Sequence, residues 1–142
     1  MQEVVSFISH HVLLSSGIVI IFALLIMVEL LRAKKNMHAI SPLHATQMIN
    51  HNHAIVIDIR PPDLFQKGHI IDAQLIAAND FLKMPVKKRE KFKTKPLIFV
   101  CQTGLEAQKI AATMRKQGYN AYVLAGGMRA WLDAQMPIIK GN

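Results

Sequence analysis

A run from Val12 to Leu31, VLLSSGIVIIFALLIMVELL, constrains this chain more than any other feature, because its one charged residue is Glu29. As a helix rising 1.5 Å per residue, about 20 residues span roughly the 30 Å of a bilayer's hydrocarbon core. Apolar residues cover every face, which disfavours an amphipathic helix lying on a surface or packed on a domain. Ser15 and Ser16 near one end can bond back to the helix backbone. Glu29 near the other stands one turn from Arg32 on the same face, where an interfacial ion pair is expected and not a transport carboxylate. Arg32, Lys34 and Lys35 follow the run, whereas the only formally charged side chain before it is Glu3. A cleaved signal peptide would carry its positive charges first. The order predicts a short tail (1–11) and an uncleaved single-pass anchor (12–31) in a cell inner membrane. By the positive-inside rule, the N-terminus lies outside and the rest of the chain in the cytoplasm.

A basic juxtamembrane linker (32–40) then leads to about a hundred residues (41–142), the size of one compact domain. Such a domain buries roughly two-thirds of its unfolded surface, so no disulfide or structural metal is needed. With Cys101 as its single cysteine, the chain can form no intramolecular disulfide, and a working thiol suits a reducing compartment. The net charge of +8 suggests nucleic acid until it is divided along the chain. Arg32, Lys34 and Lys35 contribute +3, and seven basic residues less Glu90 contribute +6 between Lys83 and Lys95, which leaves −1 for the rest. No general nucleic-acid surface is expected. The Lys83–Lys95 run reads as a solvated connector or as a surface touching anionic lipid headgroups near the anchor. His51 and His53 share a short polar loop without acids or cysteines nearby, so neither a metal nor a cofactor is expected.

Within the domain, Ser41-Pro42 places a capping residue before a helix-compatible proline, and Leu43, Ala45, Met48 and Ile49 mark a short amphipathic helix ending in the polar stretch Asn50–His53. Ala54–Asp58 and Pro96–Val100 are short apolar runs rich in β-branched residues, as in strands buried on both faces of a parallel sheet. Cys101-Gln102-Thr103-Gly104 follows the second run and precedes a helical pattern from Leu105 to Gln117, closed by Gly118. Ala121–Leu124 is a third strand, Gly126-Gly127 a turn, and Met128–Ala134 a last short helix around Trp131, which is read as core packing. Strands alternating with helices predict an α/β fold with a central, mainly parallel sheet flanked by helices.

A loop leaving a buried strand and entering a helix turns backbone N–H groups inward and adds the positive end of the helix dipole. Cys101 stands first in such a loop, where the amides favour a thiolate, a persulfide or a sulfur oxyanion. The sequence here resembles the rhodanese family from about Ile40 to Ile138. Asp58-Ile-Arg60 resembles its D-x-R, Phe65-Gln-Lys-Gly68-His69-Ile70 its F-x-x-G-H-I with Ala73 continuing the match, and Leu124-Ala-Gly126-Gly127 with Trp131 its closing L-x-G-G-x-x-x-W. Cys101-Gln-Thr-Gly104 resembles the start of its active-site loop.

The resemblance implies a sulfurtransferase. The Cys101 thiolate attacks the outer sulfur of a sulfane-sulfur donor, holds it as a persulfide and passes it to a thiophilic acceptor, either partner being a small molecule or a protein. Backbone amides of Gln102, Thr103, Gly104, Leu105, Glu106 and Ala107 would cradle the persulfide, with Gly104 allowing the curl. Asp58 and Arg60 are read as structural support through an ion pair and hydrogen bonds, His69 after Gly68 as a local hydrogen-bonding residue and not a base, and Gly126 and Gly127 as the supporting turn. Many active family members carry Arg or Lys at the end of the loop, where this chain has Glu106. A carboxylate there opposes an anionic donor such as thiosulfate, so a protein persulfide or a less anionic donor is expected. Related phosphatases place an arginine six positions after the cysteine; here Ala107 offers no bidentate clamp for phosphate. The alternative is a catalytically weak, membrane-tethered interaction module on the same fold, with Glu106 as its mark.

Overall fold

The computed structural model of the chain describes residues 12–36 and 38–141, so the expected tail at 1–11 lies outside the described residues. The chain divides into two compact units, one up to Met37 and one from His38 onward. In the first, helix α1 (Val12–Asn36) continues five residues beyond the expected end of the anchor and takes up the basic residues Arg32, Lys34 and Lys35. Its stretch Leu14–Ala33 is long and apolar enough to cross a membrane. Leu14, Ile18, Phe22, Leu25 and Leu30 are all exposed, unlike the side chains of a helix buried in a soluble core. Among the described residues the only ion pair joins Asp58 and Arg60, so the expected Glu29–Arg32 pair is not formed. Both side chains are exposed, and little holds two long, solvated side chains together at that spacing.

The second unit is built on a five-stranded sheet in which every pairing is parallel and the strand order is β1-β5-β4-β2-β3. The strands are β1 (Ala39–Ile40), β2 (Ile55–Asp58), β3 (Gln74–Leu75), β4 (Leu97–Val100) and β5 (Ala121–Leu124). Central β4 is buried at all four positions, as its unbroken Leu-Ile-Phe-Val run requires of a strand covered on both faces. On one face, Phe81, Phe92, Phe99, Ile110 and Met114 form a core, with the Phe81 and Phe99 rings edge to face at a centroid distance of 5.3 Å. On the other, Ala45, Met48, Ile98, Met128 and Trp131 pack together.

Helix α2 (Pro42–Asn52) starts where expected: the Ser41 hydroxyl accepts a hydrogen bond from the His44 amide at 3.2 Å, and Pro42 occupies the first turn. It ends later than expected. Asn50, His51 and Asn52 belong to its last turn, and His53 closes it in the left-handed conformation with its amide on the Met48 carbonyl. The stretch is polar because it faces solvent, not because the helix has stopped.

The linker assigned to 32–40 also needs correcting. Ala39 and Ile40 are an edge strand in register with Val123 and Leu124, so the folded domain begins at its N-terminal side with β1. Four elements had no sequence counterpart: α3 (Pro62–Lys67), β3, α4 (Ala78–Lys83) and α5 (Val86–Glu90).

Candidate active site

Chain directions diverge between β4 and β2: β4 is followed through helix α6 (Leu105–Lys116) by β5 on one side, and β2 by β3 on the other. In open parallel sheets such a switch point opens a crevice beyond the C-terminal strand ends, where ligands bind. Cys101 follows β4 directly, and Asp58, opposite Val100, ends β2 beside it. Parallel topology therefore brings the cysteine loop and the Asp58/Arg60 pair to the same edge.

Cys101 is 4% exposed and closes one end of the core cluster on its face of the sheet. Its Sγ accepts a hydrogen bond from the Gly104 amide at 3.0 Å, so the loop curls back on its own thiol within three residues. Gly104 makes that curl possible with φ of 90°, a left-handed conformation, at the N-cap of α6. No side chain caps this helix, and the first-turn amides of an α-helix have no intrahelical acceptor. Gln102, Thr103, Leu105 and Glu106 are exposed around the loop, Leu105 at 68%, whereas Gly104 and Ala107 are buried. The Ala107 methyl lies in the core beneath the loop, so its side chain is not part of the rim.

The loop is gripped from behind by the turn after β5. The Met128 amide donates to the Cys101 carbonyl at 2.9 Å and the Arg129 amide to the Gln102 carbonyl at 3.3 Å. A β-carbon at Gly127 would collide with the Cys101 carbonyl oxygen and lie 2.7 Å from the Gln102 carbonyl carbon. One at Gly104 would approach the Leu124 carbonyl oxygen to 3.1 Å. Both glycines are thus set by backbone packed on backbone. Helix α7 (Gly127–Asp133) begins in this grip, one residue earlier than expected, and Trp131 anchors it with its indole N–H on the Pro137 carbonyl at 3.0 Å.

Asp58 and Arg60, 1% and 7% exposed, form a closed unit. Arg60 donates Nε to both carboxylate oxygens at 3.0 Å, Nη2 to Oδ2 at 2.7 Å and its own amide to Oδ1 at 3.0 Å. The same Nη2 reaches the Gly68 carbonyl at 2.8 Å, which ties the end of β2 to the turn after α3. A β-carbon at Gly68 would press to 2.7 Å on the Ile138 side chain. His69 is buried, its ring stacked on Phe65 at 3.6 Å between centroids and its Nδ1 2.9 Å from the Phe65 carbonyl. Its backbone exchanges two hydrogen bonds with Ile139, both at 2.9 Å. These four residues therefore tie the end of β2 to the turn after α3 and fasten the C-terminal segment to that turn. The two amides that hold the loop from α7 had no sequence signal, since a backbone donor can belong to any residue but proline.

With this arrangement in view, the rhodanese-like domain family matches the chain over residues 41–134. The chain belongs to that family. Over their full lengths, the chain and the Escherichia coli (strain K12) protein YibN are 29% identical, with 100% of each covered. The thiosulfate sulfurtransferase GlpE of Pseudoalteromonas translucida is 28% identical over 65% of this chain and 86% of its own. Among solved structures, a rhodanese-related protein from Thermoplasma volcanium superposes with a TM-score of 0.64 over 72% of this chain and 97% of its own. At 19% identity that likeness concerns the fold. Among the described residues no three His, Cys, Asp or Glu side chains cluster as metal ligands, and His51 and His53 lie at the end of α2.

Proposed function

We propose that this chain is a membrane-anchored sulfane-sulfur carrier and sulfurtransferase working through a persulfide on Cys101. One observation carries the reading: the Cys101 sulfur already accepts an amide hydrogen bond at 3.0 Å in a tight loop at the uncapped N-terminus of a 12-residue helix. An amide already aimed at the sulfur, beside a helix N-terminus, stabilises negative charge there without reorganising. In the forward step the thiolate attacks the outer sulfur of a donor R–S–S⁻, a new S–S bond forms on Cys101 and R–S⁻ departs with its electron pair. For thiosulfate the leaving group is sulfite. A thiophilic acceptor then takes the terminal sulfur and returns the thiolate.

Gln102, Thr103, Leu105 and Glu106 are the parts of the loop an incoming donor meets. An exposed leucine beside a carboxylate suits an uncharged or protein-borne persulfide better than a small dianion. Helix α1 with its Arg32, Lys34 and Lys35 end supports an inner-membrane anchor with a cytoplasmic domain, a compartment in which a lone thiol stays reduced. Glu106 also favours a second reading, a tethered interaction module with little turnover.

Thiocyanate formation from thiosulfate and cyanide, measured on the full chain in lipid nanodiscs, tests the assignment. Cys101→Ser is expected to abolish it, and turnover persisting in that variant contradicts the reading. Glu106→Arg is expected to raise it by roughly three- to tenfold, the scale of an exposed charge reversal. An unchanged rate would refute the electrostatic account of the loop.

A further inference from the structure

We propose that the Lys83–Lys95 segment, which leads into β4 at the edge of the sheet opposite Cys101, is a docking surface for anionic phospholipid headgroups. The segment is folded, not a loose connector. Phe92 is 1% exposed and seated on Phe81, and α5 lies between Pro85 and Lys91. Burying those anchors turns Lys83, Lys87, Lys88, Lys91, Lys93 and Lys95 outward, all exposed and none ion-paired among the described residues. Two ammonium groups rest over rings that fix their stems, Lys91 above Phe92 at 4.8 Å and Lys93 above Tyr119 at 5.4 Å.

Arg89 adds a second, independent sign. It is buried with Nη1 on the Gln117 side chain at 2.9 Å, its Nε has no partner, and no carboxylate pairs with it among the described residues. A buried guanidinium lacking a counter-charge costs stability, and a layer of negative charge just outside offsets that cost.

An exposed apolar side chain within the surface favours a bilayer over a nucleic acid as the source of that negative charge. Val86, an apolar side chain 57% exposed, sits among the lysines, where it suits the headgroup boundary and nothing in a phosphodiester strand. Every strand is parallel, so the N-terminal ends of β1 and β4 share one edge, and Lys93 and Lys95, leading into β4, lie at the edge where the chain enters the domain at His38. Docked in this way, the domain presents the Cys101 edge away from the bilayer, open to a soluble partner.

The inference rests on the reading of α1 as an anchor, and the test separates the two. The full chain is reconstituted into nanodiscs of phosphatidylcholine alone or with phosphatidylglycerol, and lysine acylation is mapped by mass spectrometry. Co-elution with the phosphatidylcholine discs at high salt reports the anchor alone. Docking is expected to lower acylation at Lys87, Lys88, Lys91 and Lys93 by roughly fivefold in the anionic discs, about 1 kcal/mol per lysine. Lys67 and Lys109 should be unchanged, and about 1 M salt should erase the difference. Equal acylation of the segment in both discs would overturn the proposal. So would protection by inorganic phosphate in phosphatidylcholine discs equal to that given by phosphatidylglycerol, or protection by an added oligonucleotide but not by anionic lipid.

Discussion

The two edges of the sheet hold their charges differently. At the C-terminal strand ends, Asp58 and Arg60 are buried against each other with each carboxylate oxygen accepting two hydrogen bonds, and the cysteine loop is pinned by amides of α7 and by closely packed glycines. On the segment that leads to the N-terminal end of β4, six lysines stand in solvent without counter-ions among the described residues, and the buried Arg89 is only partly satisfied. A site that must aim amides at one sulfur needs its backbone over-determined to within tenths of an ångström. A surface that meets a fluid sheet of phosphates needs charge density, and no fixed partner geometry. The difference in order between the edges follows from the difference in what each touches.

Removing one half of the buried pair should give the largest effect. Asp58→Ala leaves the Arg60 guanidinium buried without its carboxylate and is expected to cost about 3–5 kcal/mol in chemical denaturation. A cost below about 1 kcal/mol would mean that the pair does not brace this edge.

Two glycines with the same backbone handedness sharpen the contrast. Gly127→Ala forces a β-carbon into the Cys101 carbonyl and should cost about 3 kcal/mol, displacing the loop as well. Gly118, at φ of 85° after α6, has nothing within 4 Å of an added β-carbon, so Gly118→Ala should cost only the roughly 1 kcal/mol of left-handed backbone. Equal costs would dissolve the distinction between a packed edge and an open one.

The smallest effect is electrostatic and lies at the N-terminal edge. Partial burial, then the charge of Arg115, hold His38 below its ordinary value of 6.5. The folded state thus binds that proton less readily than the unfolded chain. His38's contribution to stability is complete above pH 6.5 and declines as the pH falls below it. Between pH 7.5 and 5.5 the melting temperature of the wild type should fall slightly further than that of His38→Gln, and parallel profiles would remove His38 from the account.

Much of the chemical edge was legible because its constraints are local or leave residue-type marks. The runs at Ala54–Asp58, Pro96–Val100 and Ala121–Leu124 agree with β2, β4 and β5 to within a residue. Gly104 and Gly127 show where only hydrogen fits, and the family motifs contain both. Other elements escaped for physical reasons. β1 and β3 have two residues each and exist through their pairing with β5 and β2, so no periodicity could betray them. Helices α3, α4 and α5 have six, six and five residues, too few to show a helical face. Arg89 looked solvated within a basic run, yet its partner Gln117 lies 28 positions away in sequence. Asn50–Asn52 looked like a loop because a solvent-facing helical turn and a loop share the same composition.

The most direct test of the central claim is intact-mass spectrometry of the full chain, released from nanodiscs after exposure to a sulfane-sulfur donor, beside Cys101→Ser. The account predicts one added sulfur on the wild type alone, removed by cyanide or a thiol reductant. If several donors, including a protein persulfide, left Cys101 unmodified while a thiol probe still reacted with it, the sulfur-carrier reading would be contradicted and the domain would stand as a tethered interaction module.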